Sequence, residues 1–304
     1  MPLSCRPLSH QEGVYRLSRY FTDRLASYAV FISATASFVV LLIVAVFIFK
    51  GGLPAFREIG VLEFLFGKVW RPGQEQYGTL TMLVGSVVVT VGSLILAIPL
   101  GIACAILLAE VAPFRLRQVL RPAVELLVGI PSVVYGLVGL VLVVPAVREL
   151  GGSGFSVLAA SLVLMAMVLP TIISISEDSI RAVPVSYKEA ALALGATHWQ
   201  TIRRVLLPAA RSGIVASIVL AMGRAVGETM AMIMVIGNSI MFPKTPLDPA
   251  RTLTGNIAVE INYATGIHQS ALFATGIVLF IFIVVINAIA IVLLKRGVHV
   301  SAVA

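Results

Sequence analysis

Two charged residues stand where an apolar run leaves them little water. They are Arg224 and Glu228, in Gly223-Arg224-Ala-Val-Gly227-Glu228-Thr229-Met230-Ala231, near the middle of a hydrophobic segment at about 213–237. A charge at the centre of a membrane helix costs roughly 2.5–3.5 kcal/mol even on a lenient insertion scale, so an interaction must offset it. In a continuous helix the two share a face, although Arg before Glu is the less favourable order for such a pair. Two uses are open. They form a buried ion pair that sets helix packing, or Arg224 presents its planar donor fork to an oxyanion in transit. Glu228 would then hold the arginine when the path is empty and keep anion binding weak enough for release. Ser132, Tyr135 and Thr229 offer neutral hydrogen bonds to such an anion, against the commoner use of intramembrane hydroxyls to bond a preceding turn or a neighbouring helix. Pro131 predicts a kink, either for packing or to put a freed carbonyl on the path. Gly129, Gly136 and Gly139 suit close helix packing.

The elements that must position these residues are membrane helices. Of 304 residues, 59% are hydrophobic and 12% charged, against roughly 25% charged in an ordinary soluble domain. Apolar segments at about 28–50, 79–109, 122–147, 156–176, 213–237 and 270–295 predict an all-α membrane protein with six spans and both ends on one side. The net charge of +8 does not point to nucleic acid, because Lys and Arg sit in short segments between apolar runs rather than in one patch. They instead fix topology. The segments around Arg6, Arg115, Arg181 and Lys295 hold 14 of them and the opposite loops seven, which predicts both termini in the cytoplasm. The first apolar run, preceded by about 27 mostly polar residues, reads as an anchor that is retained.

Several chemistries are disfavoured. Cys5 and Cys104 are too few and too differently placed for a disulfide framework or metal cluster. His198 lies beside Trp199 without a second ligand at metal spacing, so no metal is expected. An intramembrane hydrolase would need a buried Ser and His, yet His10, His198, His268 and His299 all fall outside the predicted spans. A proton-coupled secondary anion transporter, with Glu228 as proton carrier, lacks an obvious internal repeat. There is no G-x-x-x-x-G-K-[ST] phosphate loop, so ATP must be handled by another subunit.

The inner loop 177–212 is rich in helix formers, with polar and apolar residues mixed at helical spacing over Tyr187 to Val205. It contains Glu189-Ala190-Ala191-Leu-Ala-Leu-Gly195, followed by Leu207-Pro208. This arrangement resembles the EAA signature of ABC importer permeases. There, a short helix, a turn with Gly and a second helix fit a groove on the ATPase. Glu110-Val-Ala-Pro113, Glu125-Leu-Leu-Val-Gly-Ile-Pro131-Ser132-Val-Val-Tyr135-Gly136-Leu, Gly223 to Ala231 and Ser270-Ala-Leu-Phe-Ala-Thr-Gly resemble the PstC-type permeases of phosphate ABC importers.

The resemblance covers about residues 77–296 and implies a type I importer (MetI-like) core of five helices plus one N-terminal helix. It also implies a non-catalytic subunit that forms half of a phosphate pathway. Its partners would be a PstA-type sister permease, a PstB-type ATPase dimer carrying ATP and magnesium, and a PstS-type periplasmic binding protein. This chain itself would bind no cofactor. The expected layout is a cytoplasmic segment at 1–27, a first span at 28–50, a periplasmic loop at 51–76, the core at 77–296 with its coupling loop, and a tail at 297–304. Sulfate and molybdate permeases share this architecture, and one arginine does not separate tetrahedral oxyanions.

Overall fold

A computed structural model describes residues 11–297 of the chain. Expectations for Cys5, His10, His299, Arg6 and the tail beyond residue 297 lie outside the described residues. The chain forms two compact units, Met1–Lys50 and Gly51–Ala304.

Helix α1 (Gln11–Ile59) begins in the first unit and ends in the second, outrunning the expected 28–50 span and carrying Pro54 within it. Within the first unit its apolar side chains from Tyr28 to Phe49 are exposed on every side. That all-round apolarity suits hydrocarbon solvent.

The second unit is built around α3 (Leu80–Ile106), α7 (Val157–Arg181) and α14 (Gly266–Gly297). Together with Ala26–Ile59 of α1, these are the four helices long and apolar enough to cross a bilayer. Two bent pairs bring the number to six if each is counted as one span. The pair α3 and α7 makes the most extensive helix contact in the molecule. Small residues allow it, since a Cβ on Gly92 or Gly101 would stand 2.7 Å from Ser161 Oγ or Ile172 Cγ2. Helix α11 (Arg211–Gly227) lays Ile214, Ser217, Ala221 and Ala225 into the core beside α7. A Ser176–Ser217 hydroxyl bond of 2.9 Å joins these two helices.

Two expected spans are not continuous. The segment expected at 122–147 is α4 (Phe114–Val128) followed by α5 (Ser132–Val138), a π turn and α6 (Val144–Arg148), bent by 99° across 129–131. Gly129 ends α4 as its cap, and Pro131 forbids continuation. Gly136 and Gly139 do pack closely, on Ala231 and Val163, whereas Gly129 meets only its own helix. The segment expected at 213–237 starts at Arg211, breaks after Gly227 and resumes as α12 (Met230–Val235).

At one end of the unit, the short α2 (Val61–Phe66) precedes a hairpin of β1 (Trp70–Arg71) and β2 (Gln76–Tyr77), with Trp70 opposite Tyr77. Glu260, at the end of α13 (Leu253–Glu260), gathers this region. Its Oε1 accepts from Arg251 Nη1 at 2.6 Å, and its Oε2 accepts from Trp70 Nε1 at 2.8 Å and lies 2.9 Å from His268 Nε2. One buried carboxylate thus joins the hairpin, α13 and the start of α14.

Removing one member of a buried charged pair leaves the other uncompensated, at a cost of about 3–5 kcal/mol. Glu260→Ala should therefore sharply lower the thermal stability of the detergent-solubilised protein, whereas Glu75→Ala at an exposed turn should not. Equal melting of the two variants would contradict this role.

Candidate functional site

The break at residues 228–229 is assembled from its own side chains. Glu228 leaves the helix with extended backbone, φ −69° and ψ 129°. Its carboxylate Oε1 accepts from Ala231 N at 3.1 Å, so it caps α12. Thr229 donates its hydroxyl to the Gly227 carbonyl at 3.2 Å, and Thr254 Oγ1 donates to the Glu228 carbonyl at 3.0 Å. Interrupting a helix in lipid releases backbone groups that must find partners, and here three do.

This geometry corrects the expected pair. Arg224 and Glu228 do not share a helical face, and among the described residues no ion pair or hydrogen bond joins them. Glu228 turns toward α12 and α3, where it lines a void of about 10 Å³ with Ser86, Thr90 and Thr252. A space of that size holds about one water and no oxyanion.

Arg224 is half-buried and has no hydrogen bond or ion pair among the described residues. The helix face around it is open. Leu220 and Gly227 are exposed, and a Cβ at Gly223 or Gly227 would meet nothing within 4 Å. The buried stripe of α11 faces α7, and this second stripe is left open among the described residues.

The neutral donors fare differently. Tyr135 donates its hydroxyl to the Leu127 carbonyl at 2.9 Å, satisfying a group released where α4 ends. The Thr229 proton is likewise spent on Gly227. Ser132, at the start of α5, has no partner among the described residues. Neither Tyr135 nor Thr229 keeps a free proton for an anion.

At the opposite end of α7, the loop 177–212 folds as α8 (Val185–Ala193), a turn, α9 (His198–Thr201), a π turn and α10 (Leu207–Ala209). Gly195 takes φ +83°, a left-handed value that ends α8 without strain. Thr197 and Gln200 then cap α9 reciprocally. Ala190 and Ala191 line an open groove of about 550 Å³ with Tyr187, Leu194 and Val205. Glu189 is exposed beside it, and Leu194 is 89% exposed. Leu207 packs inward on a cluster with Ile180 and Ile214, while Pro208 begins the short helix before a 67° bend into α11. Leu207 and Pro208 therefore direct re-entry of the chain, and the groove belongs to Tyr187 through Val205.

Sequence reasoning quoted Glu110 only as the start of Glu110-Val-Ala-Pro113 and gave it no partner, whereas its carboxylate meets Lys188 and lies 3.7 Å from His198. The available signal was an acid at the end of an apolar run, three residues before Pro113. It also missed Thr254, whose hydrogen bond to the break comes from 26 residues away.

The described residues thus form a helical membrane unit with broken spans and an exposed helix–turn–helix loop. The comparisons place it further. Residues 97–299 match the family described as "Binding-protein-dependent transport system inner membrane component", and the chain belongs to that family. It is 44% identical over 270 residues to the "Probable ABC transporter permease protein YqgH" of Bacillus subtilis (strain 168), covering 84% of this chain and 87% of that protein. It is 36% identical over 284 residues to the "Phosphate transport system permease protein PstC" of Pasteurella multocida (strain Pm70), covering 86% and 88%. Among solved structures, it resembles a chain of the inward-facing MetNI methionine ABC transporter, with TM-score 0.58 and 22% identity over 76% of this chain and all of that one. A chain of a bacterial alginate ABC transporter, solved with a pentasaccharide-bound periplasmic protein, aligns with TM-score 0.62 and 17% identity over 93% and 97%. These two likenesses establish the type I importer permease fold.

Glu228→Gln keeps an acceptor for the Ala231 N–H, so it should melt like the wild type in detergent. Glu228→Ala loses the cap and should be less stable by about 1 kcal/mol. If Glu228→Gln were the more damaged variant, the carboxylate would be held by its charge and not by capping.

Proposed function

We infer that this chain is one of two membrane subunits of an ATP-driven importer of inorganic phosphate. The observation that carries the reading is Arg224: a permanent cation without an ion-pair partner among the described residues, on an uncovered stripe of α11 beside a break in the span. A cation within a membrane span needs a counter-charge or a polar path, and a transported oxyanion would supply the first. The naming of curated relatives as phosphate permeases supports phosphate over other oxyanions. The open stripe with Leu220, Gly223 and Gly227 suits a sister permease that completes the pathway.

In this reading Arg224 is the anion-contacting residue, and Ser132 is the neutral donor best placed by its unspent hydroxyl. Tyr135, Thr229 and Glu228 shape the path by holding its broken backbone. Glu189, Ala190, Ala191 and Gly195 form the face that a partner ATPase engages, with Leu207 and Pro208 setting the angle of return. ATP and magnesium belong to that partner, and this chain contributes no catalytic group. A periplasmic binding protein delivers phosphate on the side of the hairpin and α13, and both termini are cytoplasmic. The layout is a cytoplasmic segment at 1–27, a first span at 28–50 and a core at 77–296. Alternating access then needs two packings of the permease pair, biased by ATP.

The test is ATP-dependent uptake of labelled phosphate into liposomes holding this chain, its sister permease and the ATPase, with the binding protein outside. Wild type should require both ATP and the binding protein, and sulfate should not compete. Arg224→Gln should lower uptake by roughly tenfold or more, as expected when a charged contact worth about 1.5–3 kcal/mol is lost. Normal uptake by an assembled Arg224→Gln complex would refute the arginine's role. Uptake driven by a proton gradient without the ATPase would replace the importer reading with a secondary transporter.

A further inference from the structure

Glu110 ties the loop 177–212 to a different membrane helix from the one that leads into it. It lies in a π-helical turn, Leu107–Val111, that ends the rod begun by α3. Its carboxylate pairs with Lys188 of α8 across 78 positions of sequence, and His198 of α9 lies 3.7 Å from the same oxygen. The Glu110 side chain is 11% exposed. Its turn is braced from the other side, where Arg117 donates from Nε to the Leu108 carbonyl at 2.6 Å and from Nη2 to the Ala109 carbonyl at 2.9 Å. Those carbonyls are among the ones a helix end leaves unpaired.

The other end of the same rod reaches the break at Glu228. Ser86 of α3 accepts from Leu253 N at 2.9 Å, and Ser86 and Thr90 line the small void beside Glu228. From Glu110 to Ser86 is about 36 Å of helix at the standard rise. Thus α8 continues from α7 through the chain, is pinned by Lys188 to the end of α3, and α3 abuts the broken span.

We propose that Glu110 is a positioning residue that couples the coupling loop to α3, so that displacement of α8 by a partner ATPase is carried to the Glu228 break. The pair does not touch the transported ion and acts only through α3. Without it, α8 keeps its continuity with α7 and, through α9 and α10, with α11, but the part of the displacement that α3 carries to the break is lost. This inference rests on the importer reading above.

The experiment uses the assembled transporter in liposomes and measures phosphate imported per ATP hydrolysed. Glu110→Gln and, separately, Lys188→Gln should keep ATP hydrolysis within about twofold of wild type while uptake per ATP falls roughly tenfold, the scale of a coupling change of 0.5–2 kcal/mol. The charge-swapped double variant, Glu110→Lys with Lys188→Glu, should recover several-fold over either single reversal. A general weakening of the fold would lower hydrolysis and uptake together and would not be rescued by the swap. If Lys188→Gln imports at the wild-type ratio, or the swap does no better than the single reversals, the inference is overturned. If the wild type itself shows no ATP-dependent uptake, the importer reading fails and the inference falls with it.

Discussion

Everything in this molecule answers to one constraint: in hydrocarbon, a backbone N–H or carbonyl without a partner costs several kcal/mol, so helices run unbroken unless side chains repair each interruption. The two interrupted spans both follow this rule. At residues 228–229 the repair comes from Glu228, Thr229 and Thr254. At residues 129–131 Tyr135 supplies it, reaching back to Leu127. Both breaks fall between α4, α5, α11 and α12, and α5 packs on α12. The two breaks therefore lie on elements that pack together, and α11, which ends at one of them, carries the half-buried Arg224.

The uninterrupted elements supply the rigidity that such a place needs. Helices α3 and α7 approach closely because small residues line their contact, and the Glu260 cluster fastens the hairpin and α13 to the start of α14. At the other end, Arg121 bridges α4 to α7 through Glu177 and Asp178. The flexible-looking parts of the site are thus hung between fixed points.

Much of this was legible in sequence, and the reason is length. A run of some 20 apolar residues has few alternatives to a membrane helix, so the rods at α3, α7 and α14 were found within a few residues. The helix–turn–helix of the coupling loop was likewise announced by Gly195 and the residues around it. What sequence did not reveal was where an apolar run stops being a helix. Pro131 signalled one break, but Gly227-Glu228-Thr229 contains no proline, and its interruption depends on Thr254, a residue far along the chain. The expected Arg224–Glu228 pair failed for that reason: spacing on a helix predicts contact only while the helix continues. The pairing of Glu110 was hidden because its partner Lys188 is distant in sequence and close only after folding.

The bend between residues 198–209 and α11 has a mechanical meaning. At 67°, a thrust along the axis of the first piece arrives at the second mainly as a sideways swing and only in lesser part as a push along its length. Helix α11 is consequently geared for tilting rather than for piston motion. Its far end carries Arg224, so in the proposed importer a stroke at the loop would swing the arginine sideways more than it would drive it along the helix axis.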